Sequence, residues 1–301
     1  MRSFKRAGAL LVALAIGAIS TGVAGGGGSR PDAALADPLF TIGMAHAHYT
    51  PQLDGSKPIF ILVLGDNYRA GIVDNHLTDS VHLIGVNLAT KQATILGIPR
   101  DSWVEIPGHG KGKINEAYAY GGAELSVQTV EAISGITIDY YMVTRFTGFK
   151  ALVTEVGGVM VDVPYSIDDS YSKANFDKGR TMMSGKEALT FVRARHDVPY
   201  GDFSRSRNGG LFMLSMLAQA RKDYGADPGS MIRWLGAGMR NVRSDIPSDQ
   251  LLQLAFTALA IPPDQVNNMV TPGTTGTVGG ESIVNLDPSV QGIFHAFLVP
   301  G

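Results

Sequence analysis

The chain contains no cysteine. Disulfides, thiolate nucleophiles and cysteine-ligated metals are therefore excluded. Neither charge is in excess: 25 lysines and arginines face 27 aspartates and glutamates, for a formal net charge of -2. That balance argues against nucleic acid as the main partner, because such binders carry a basic face. Several chemical signatures are also missing. No G-x-S-x-G, H-E-x-x-H or dinucleotide fingerprint occurs. The glycine-rich stretch from Lys111 to Gly122 has no Gly-Lys-Ser/Thr and no strand directly before it, so it is not a P-loop. The seven histidines are too scattered for a zinc site. His46 and His48 lie two apart and read as a solvated pair. There is no internal repeat.

What is present begins with an apolar N-terminus. Arg2, Lys5 and Arg6 precede an uncharged run from Ala7 to Ala24. The basic start should stay in the cytoplasm while the rest crosses. The run reaches the ~17–25 residues of a membrane helix, which reads residues 1–24 as an uncleaved anchor. A cleaved signal peptide is the alternative, with Ala34-Leu35-Ala36 or Gly22-Val23-Ala24 as its site. Both readings put the folded part outside the cytoplasm, on a single-pass membrane protein or a secreted one. Residues 25–57 open with four glycines and a serine, contain Pro31, Pro38 and Pro51, and read as a flexible linker. Residues 58–301 form the folded domain. A hydrophobic content of 45% is ample for its core.

The domain starts at Ile59–Gly65, a continuous apolar run ending in glycine, as in a strand buried on both faces. Residues 81–88 and 93–99 read as an antiparallel hairpin around Thr90-Lys91. Residues 124–134 have helical spacing and stop before Gly135. A strand over 139–145 is followed by a helix over 146–156, which ends at Gly157-Gly158. Another strand covers 159–164. Ser184-Gly185-Lys186-Glu187 has the form of a capping box and starts a helix ending near Phe191. A longer helix covers Ser206 to Lys222. Two helical patterns, a strand over 279–287 and a short helix close the chain. Strands mixed with helices throughout predict an α/β fold with a mixed central sheet flanked by helices on both faces.

Positive charge gathers between Thr190 and Asn208, in the pairs Arg193/Arg195 and Arg205/Arg207. Arg205 and Arg207 fall at the start of a helix, the wrong end for cations unless an anion sits there. Asp202 or Ser204 is a candidate cap. In an extended chain Arg193 and Arg195 share one face. Four guanidiniums around one point would repel unless they held a multiply charged anion, and a diphosphate is the natural candidate. The plain alternative is a solvated charge run paired with Asp197, Asp202 and surface carboxylates. Asp66, Asn67 and Arg69 follow the first strand directly, where ligands of α/β sheets tend to bind. Asp79 precedes the second strand. Asp66 and Asp79 would suit one Mg²⁺, with Asp74 as a weaker alternative. Arg100 and Asp101 emerge just past the third strand, which Pro99 ends.

The order and spacing of "LVLGDNYRAG", "TDSVHLIGVNLATKQATILGIPRDSWVEIPGHGKGKINEAYAYGG", "IDYYMVTRFTGFKALVTEVGGVMVDVP", "GKEALTFVRARH" and "GDFSRSRN" resemble those of the LytR-CpsA-Psr family, over residues 59–222. The segment "TPGTTGTVGGESIVNLDP" is similar to the C-terminal part of actinobacterial members. The resemblance implies a membrane-anchored, extracytoplasmic phosphotransferase. Such an enzyme moves a glycopolymer from a polyprenyl-diphosphate carrier to a cell-wall hydroxyl, usually on peptidoglycan. It also implies that Arg69, Arg100, Arg193, Arg195 and Arg205 hold the diphosphate, that acidic residues hold Mg²⁺, and that an apolar pocket takes the lipid tail. Asp79 becomes a metal ligand or catalytic carboxylate, with Asp66 and Arg100 beside it. Two departures stand out. The family's acidic position in Gly-x-Asp-x-Arg is Asn67 here, with Asp66 one residue early. A glutamine usual after the last arginine motif is replaced by Gly209 or Gly210. Arg207 stays a diphosphate candidate by its pairing with Arg205, although it falls where the family varies. The departures keep a second reading open: a catalytically weak polyprenyl-diphosphate-binding or wall-scaffold protein.

Overall fold

The computed structural model describes residues 57–68 and 76–298, together with residues 53 and 55. The expected anchor, most of the expected linker, His46, His48, Arg69 and Asp74 lie outside the described residues. The order is β1 (Ile59–Asp66), β2 (Thr78–Asn87), β3 (Gln92–Ile98), β4 (Trp103–Ile106), β5 (Gly110–Lys113), α1 (Glu116–Ser134), β6 (Tyr140–Arg145) and α2 (Phe146–Glu155). Then come β7 (Val159–Val163), β8 (Ile167–Asp169), β9 (Ala174–Phe176), β10 (Gly179–Met183), α3 (Gly185–Arg193), α4 (Asp202–Ala226) and α5 (Ser230–Asn241). The chain continues through β11 (Arg243–Ser244), α6 (Ser248–Ala260), β12 (Val266–Val270), β13 (Gly273–Val278), β14 (Glu281–Leu286) and α7 (Val290–Leu298).

Six strands form the central sheet, in the order β11-β6-β1-β2-β3-β12. β1 is antiparallel to β2 and parallel to β6. β2 is antiparallel to β3, and β3 is parallel to β12. The sheet is therefore mixed, as the alternation of strands and helices predicts. β1 explains its own composition. Its even residues Phe60, Leu62 and Leu64 pack with Leu125, Val127 and Val130 of α1 and Phe294 of α7. Its odd residues Ile59 and Ile61 pack on the other face with Tyr140, Ile246 and residues of α6. A strand covered on both faces has no polar position to spare. Each fully buried leucine here contributes about 1.5–3 kcal/mol. A third apolar cluster joins α2, β7, α3, Phe212 of α4 and Ala237 of α5. Among the described residues, no helix is long and apolar enough to cross a membrane.

Helix boundaries follow local chemistry. Ser184 caps α3: its hydroxyl accepts from the Glu187 amide and the Glu187 carboxylate accepts from the Ser184 amide, a reciprocal capping box. α1 ends at Gly135, whose φ of 69° suits glycine. It begins earlier than its apolar spacing predicts, with a break at Gly121 and Gly122. α4 begins four residues before Ser206, at Asp202, and no side chain caps it. The Ser204 hydroxyl instead donates to the Pro199 carbonyl, and Asp202 pairs with Arg205.

Candidate active site

Strand directions bring the polar segments together. β1 and β6 are parallel, so Asp66 and Arg145 end side by side in register. β2 runs the other way and starts at that edge, with Thr78 opposite Asp66 and Asp79 next. β3 runs antiparallel to β2 and ends there too, delivering Arg100 after Pro99. The fourth contribution is α4. It lies across β2, β3 and β12, and a Cβ on Gly97 of β3 would meet the Ser206 Cβ at 3.0 Å.

Ionic groups meet at this edge. The Arg100 guanidinium donates to the Asp79 carboxylate and lies 3.5 Å from Asp101. Arg195 reaches the other oxygen of Asp101 at 3.8 Å. Arg205, only 6% exposed, pairs with Asp202 one helical turn away. Burial opposes the charge on Arg100, but Asp79, Asp101 and Asp202 outweigh it and hold the guanidinium above its ordinary value. Arg205 goes the other way. Burial lowers it, Asp202 and Asp79 only partly compensate, and repulsion from Arg100 and Arg195 adds to the fall. The cluster is thus dense in cations around Arg205, and arginine keeps its charge under such pressure.

Other expected site residues take different places. Arg193 is the last residue of α3 and lies over the Phe146 ring, 4.8 Å from its centre. The fully extended run that would put it on one face with Arg195 is absent, because α3 continues to residue 193 before the chain becomes extended at Ala194. Arg207 is exposed, and its carbonyl accepts from the Asn268 amide at 3.0 Å. Asp66 belongs to a neighbouring cluster. Its fully buried carboxylate accepts from the Tyr68 amide at 2.8 Å, meets His76 at 3.0 Å and pairs with Arg145 at 3.3 Å. Arg145 in turn sits over the Tyr68 ring, which stacks on His76. Burial, with the Asp66 charge adding to it, pushes the Tyr118 hydroxyl up to about 12. Asn67, at the family's acidic position, uses its side-chain oxygen to accept from the Leu77 amide at 3.3 Å. Thr78 and Asn115 are both buried beside these aspartates. Their side-chain oxygens Oγ1 and Oδ1 have no hydrogen-bond partner. The Asn115 backbone bridges the two clusters, accepting from the Thr78 amide and donating to the Arg100 carbonyl. Among the described residues, no three histidine or acidic side chains gather at one point.

Three residues escape sequence reasoning. Asp169 is fully buried, and its carboxylate accepts four backbone N–H groups, from Tyr171, Ser172, Arg195 and His196, at 2.7–3.0 Å. Burial would raise its pKa, but these donors together hold it below the usual carboxylate range. Asp169 thereby fixes the backbone that carries Arg195. Nothing in "IDDSY" separates it from Asp168, which lies on the exposed face of β8. His82 is the second. Its Nε2–H donates to the Ser206 carbonyl, and Nδ1 accepts from the Ser80 hydroxyl, both at 2.9 Å. Burial lowers its pKa to about 4, so the ring is neutral. The polar residue at an even position of β2 was its only sequence signal. Arg145 is the third.

Away from the charged edge, α4, α5, α6 and β6 line an open-sided cavity of about 230 Å³. Leu217, Trp234, Leu235, Leu251 and Leu259 line it, and Ser244 is its one hydroxyl.

The sequence and the fold match a known group of proteins. The chain belongs to the LytR_cpsA_psr family, whose model matches residues 42–292. A polyisoprenyl-teichoic acid–peptidoglycan teichoic acid transferase, TagU of Bacillus cereus, is 35% identical over 207 residues. The alignment covers 67% of this chain, and the chain spans 65% of that relative's length. Among solved structures, B. subtilis TagV is 27% identical with a TM-score of 0.70, over 81% of this chain and 99% of that one. The family protein YwtF (TagT) with bound octaprenyl pyrophosphate lipid superposes with a TM-score of 0.62 at 23% identity, over 84% of this chain and 95% of that one. At that identity the likeness bears on the fold alone.

Proposed function

We propose that this protein is a phosphotransferase that moves a glycopolymer phosphate from a polyprenyl-diphosphate carrier to a cell-wall hydroxyl, with peptidoglycan as the acceptor. The observation that carries the reading is the meeting of Arg100, Arg195 and Arg205 with Asp79, Asp101 and Asp202 at one sheet edge. A diphosphate entering there gains charge-assisted, often bidentate hydrogen bonds. It also offsets the burial that chiefly lowers Arg205 and the repulsion from Arg100 and Arg195 that adds to it. Arg69, Arg193 and Arg207 are further diphosphate candidates by their place in the sequence motifs.

The attacking wall hydroxyl forms a bond to the phosphorus that carries the polymer. The bond from that phosphorus to the bridging oxygen breaks, and polyprenyl phosphate leaves. An aspartate of the Asp79/Asp66 pair takes the hydroxyl proton. The arginines spread the charge on the leaving phosphate, so catalysis rests on positioning and electrostatics. Water in place of the wall hydroxyl would give a slow diphosphatase reaction. Asp79 and Asp66 would hold Mg²⁺, and the unpartnered oxygens of Thr78 and Asn115 beside them supply the hard donors it favours. Bound there, the ion would neutralise phosphate charge. The apolar cavity suits the prenyl tail. Leu217 at its wall lies about 18 Å along α4 from Arg205, at ~1.5 Å per residue. The apolar run from Ala7 to Ala24 supports membrane attachment with the domain outside the cytoplasm.

The test is transfer by the purified full-length chain, from a polyprenyl-diphosphate sugar to a peptidoglycan acceptor with Mg²⁺. Arg195→Ala should lose transfer at least a hundredfold and stay folded, because that side chain is 34% exposed. Normal transfer by this variant would remove Arg195 from the site. Tight binding of the carrier without turnover in the unmodified chain would favour the carrier-binding alternative.

A further inference from the structure

Among the described residues the cavity has a partly exposed apolar rim, in which Phe256 packs edge-on against Tyr224 of α4. Met231, Trp234, Leu235, Gly238 and Met239 of α5 line the cavity, one stripe at helical spacing. Ile232 falls beside that stripe and is 79% exposed. Met239, seven residues on, both lines the cavity and is 38% exposed. α6 repeats the arrangement. Leu251, Ala255, Ala258 and Leu259 line the cavity, while Leu252 and Phe256, four apart on the adjoining stripe, are 45% and 42% exposed. Two helices thus turn their outer apolar stripes to solvent on either side of one apolar cavity. Exposed apolar surface gathered in this way marks an interaction site, whereas single exposed residues do not.

Charge narrows the partner. α5 and β11 carry Arg233, Arg240 and Arg243 and no carboxylate, while the one charged residue of α6 is Asp249. Arg233 and Arg240 rest on Asp223 and Glu155, and their side chains still stand 47% and 57% exposed. Arginines and a tryptophan beside an apolar stripe are the composition of a helix lying in a lipid interface. A protein surface would require carboxylates facing these arginines and a shaped apolar complement. Anionic headgroups over acyl chains supply both charge and apolar depth without shape.

We infer that the α5–α6 rim, centred on Ile232, Leu252 and Phe256, docks on the surface of an anionic lipid bilayer and opens the apolar cavity towards its acyl chains. This deepens the proposed function, since a polyprenyl carrier resides in a bilayer and its tail would pass directly from lipid to cavity.

The absence of cysteine makes the test direct. Ile232→Cys, Phe256→Cys and Thr277→Cys are made singly in the full-length chain. Thr277 is an exposed position on β13, in the hairpin with β14, whose Leu286 packs on the α1 side of the sheet. Each variant is nitroxide-labelled and reconstituted in vesicles of equal phosphatidylglycerol and phosphatidylcholine. At 232 and 256, oxygen, which enters lipid, should relax the label at least threefold more than a water-soluble nickel chelate, relative to 277. Equal aqueous exposure at all three positions overturns the inference. Dipolar broadening between labels at 232, without lipid exposure, overturns it in favour of a second copy of the chain. A double variant, Ile232→Glu with Phe256→Glu, should lose transfer from vesicle-borne carrier tenfold and keep transfer from a short, water-soluble carrier. Absence of transfer from both carriers in the unmodified chain would defeat the proposed function and leave the labelling result standing.

Discussion

Near its start, α4 carries Arg205, nearly buried among Arg100, Arg195, Asp79 and Asp202. About three turns later, Leu217 and Ala220 of the same helix face an apolar cavity. At the first end buried groups need partners, and Arg205 and Arg100 have theirs in Asp202 and Asp79, although the second Asp202 oxygen has none. At the second end nothing needs a partner, and shape alone matters. A buried charge is tolerated only with its counter-charges and hydrogen bonds, whereas apolar walls gain from any apolar filling. One rigid helix therefore offers two different solvents at a fixed separation, as an amphipathic diphosphate-bearing lipid would require.

The largest break in that comparison should come from Arg205→Ala. It leaves Asp202 buried beside fewer cations and should cost about 3–5 kcal/mol, read as a lower urea midpoint. The next comes from acid. His82 has an ordinary pKa near 6.5 and about 4 in the fold. The unfolded chain therefore binds the proton first as pH falls. Stability present above pH 6.5 should be lost progressively down to pH 4, by up to about 3 kcal/mol from this residue. Urea titrations at pH 7 and pH 4.5 check this, and His82→Gln should remove that share of the slope. Filling the other end is milder. Ala255→Phe should leave the fold intact and weaken polyprenyl-diphosphate binding about tenfold, some 1.4 kcal/mol, by calorimetry. A geranyl diphosphate should bind that variant as it binds the unmodified chain. The smallest effect is expected from Arg207→Ala. Its exposed side chain should change stability by no more than about 0.5 kcal/mol, so Arg205 and Arg207 separate sharply despite lying two residues apart.

The sheet was legible because β1, β2 and β3 are built of long apolar runs with clear turn signals between them. The Ser184 capping box and the Gly135 stop were legible for the same reason: their chemistry is local. Short hairpins such as β8–β9 were not, because three residues carry no periodicity. The start of α4 was misjudged by four residues because Gly201, not a capping side chain, precedes it. Strand-tip logic put Asp79, Arg100 and Asp101 at one end of the sheet, where their side chains do meet. It did not find Asp169, His82 or Arg145, whose roles depend on partners 26, 124 and 79 residues away. The helical setting of Arg193 was hidden as well, since it turns on two extra residues of helix.

Gly209 has one further consequence. A Cβ there would meet the His82 ring at 2.7 Å, and one on Gly210 would strike the Asn268 amide. The helix is therefore seated on the sheet one turn beyond Arg205, at a spot where side chains are lacking. Any residue larger than glycine at 209 would act as a shim, lifting the helix and carrying the Arg205 guanidinium with it. The tolerance of the arginine cluster is thus set outside the cluster, by two hydrogen-for-methyl choices on the far side of the helix turn.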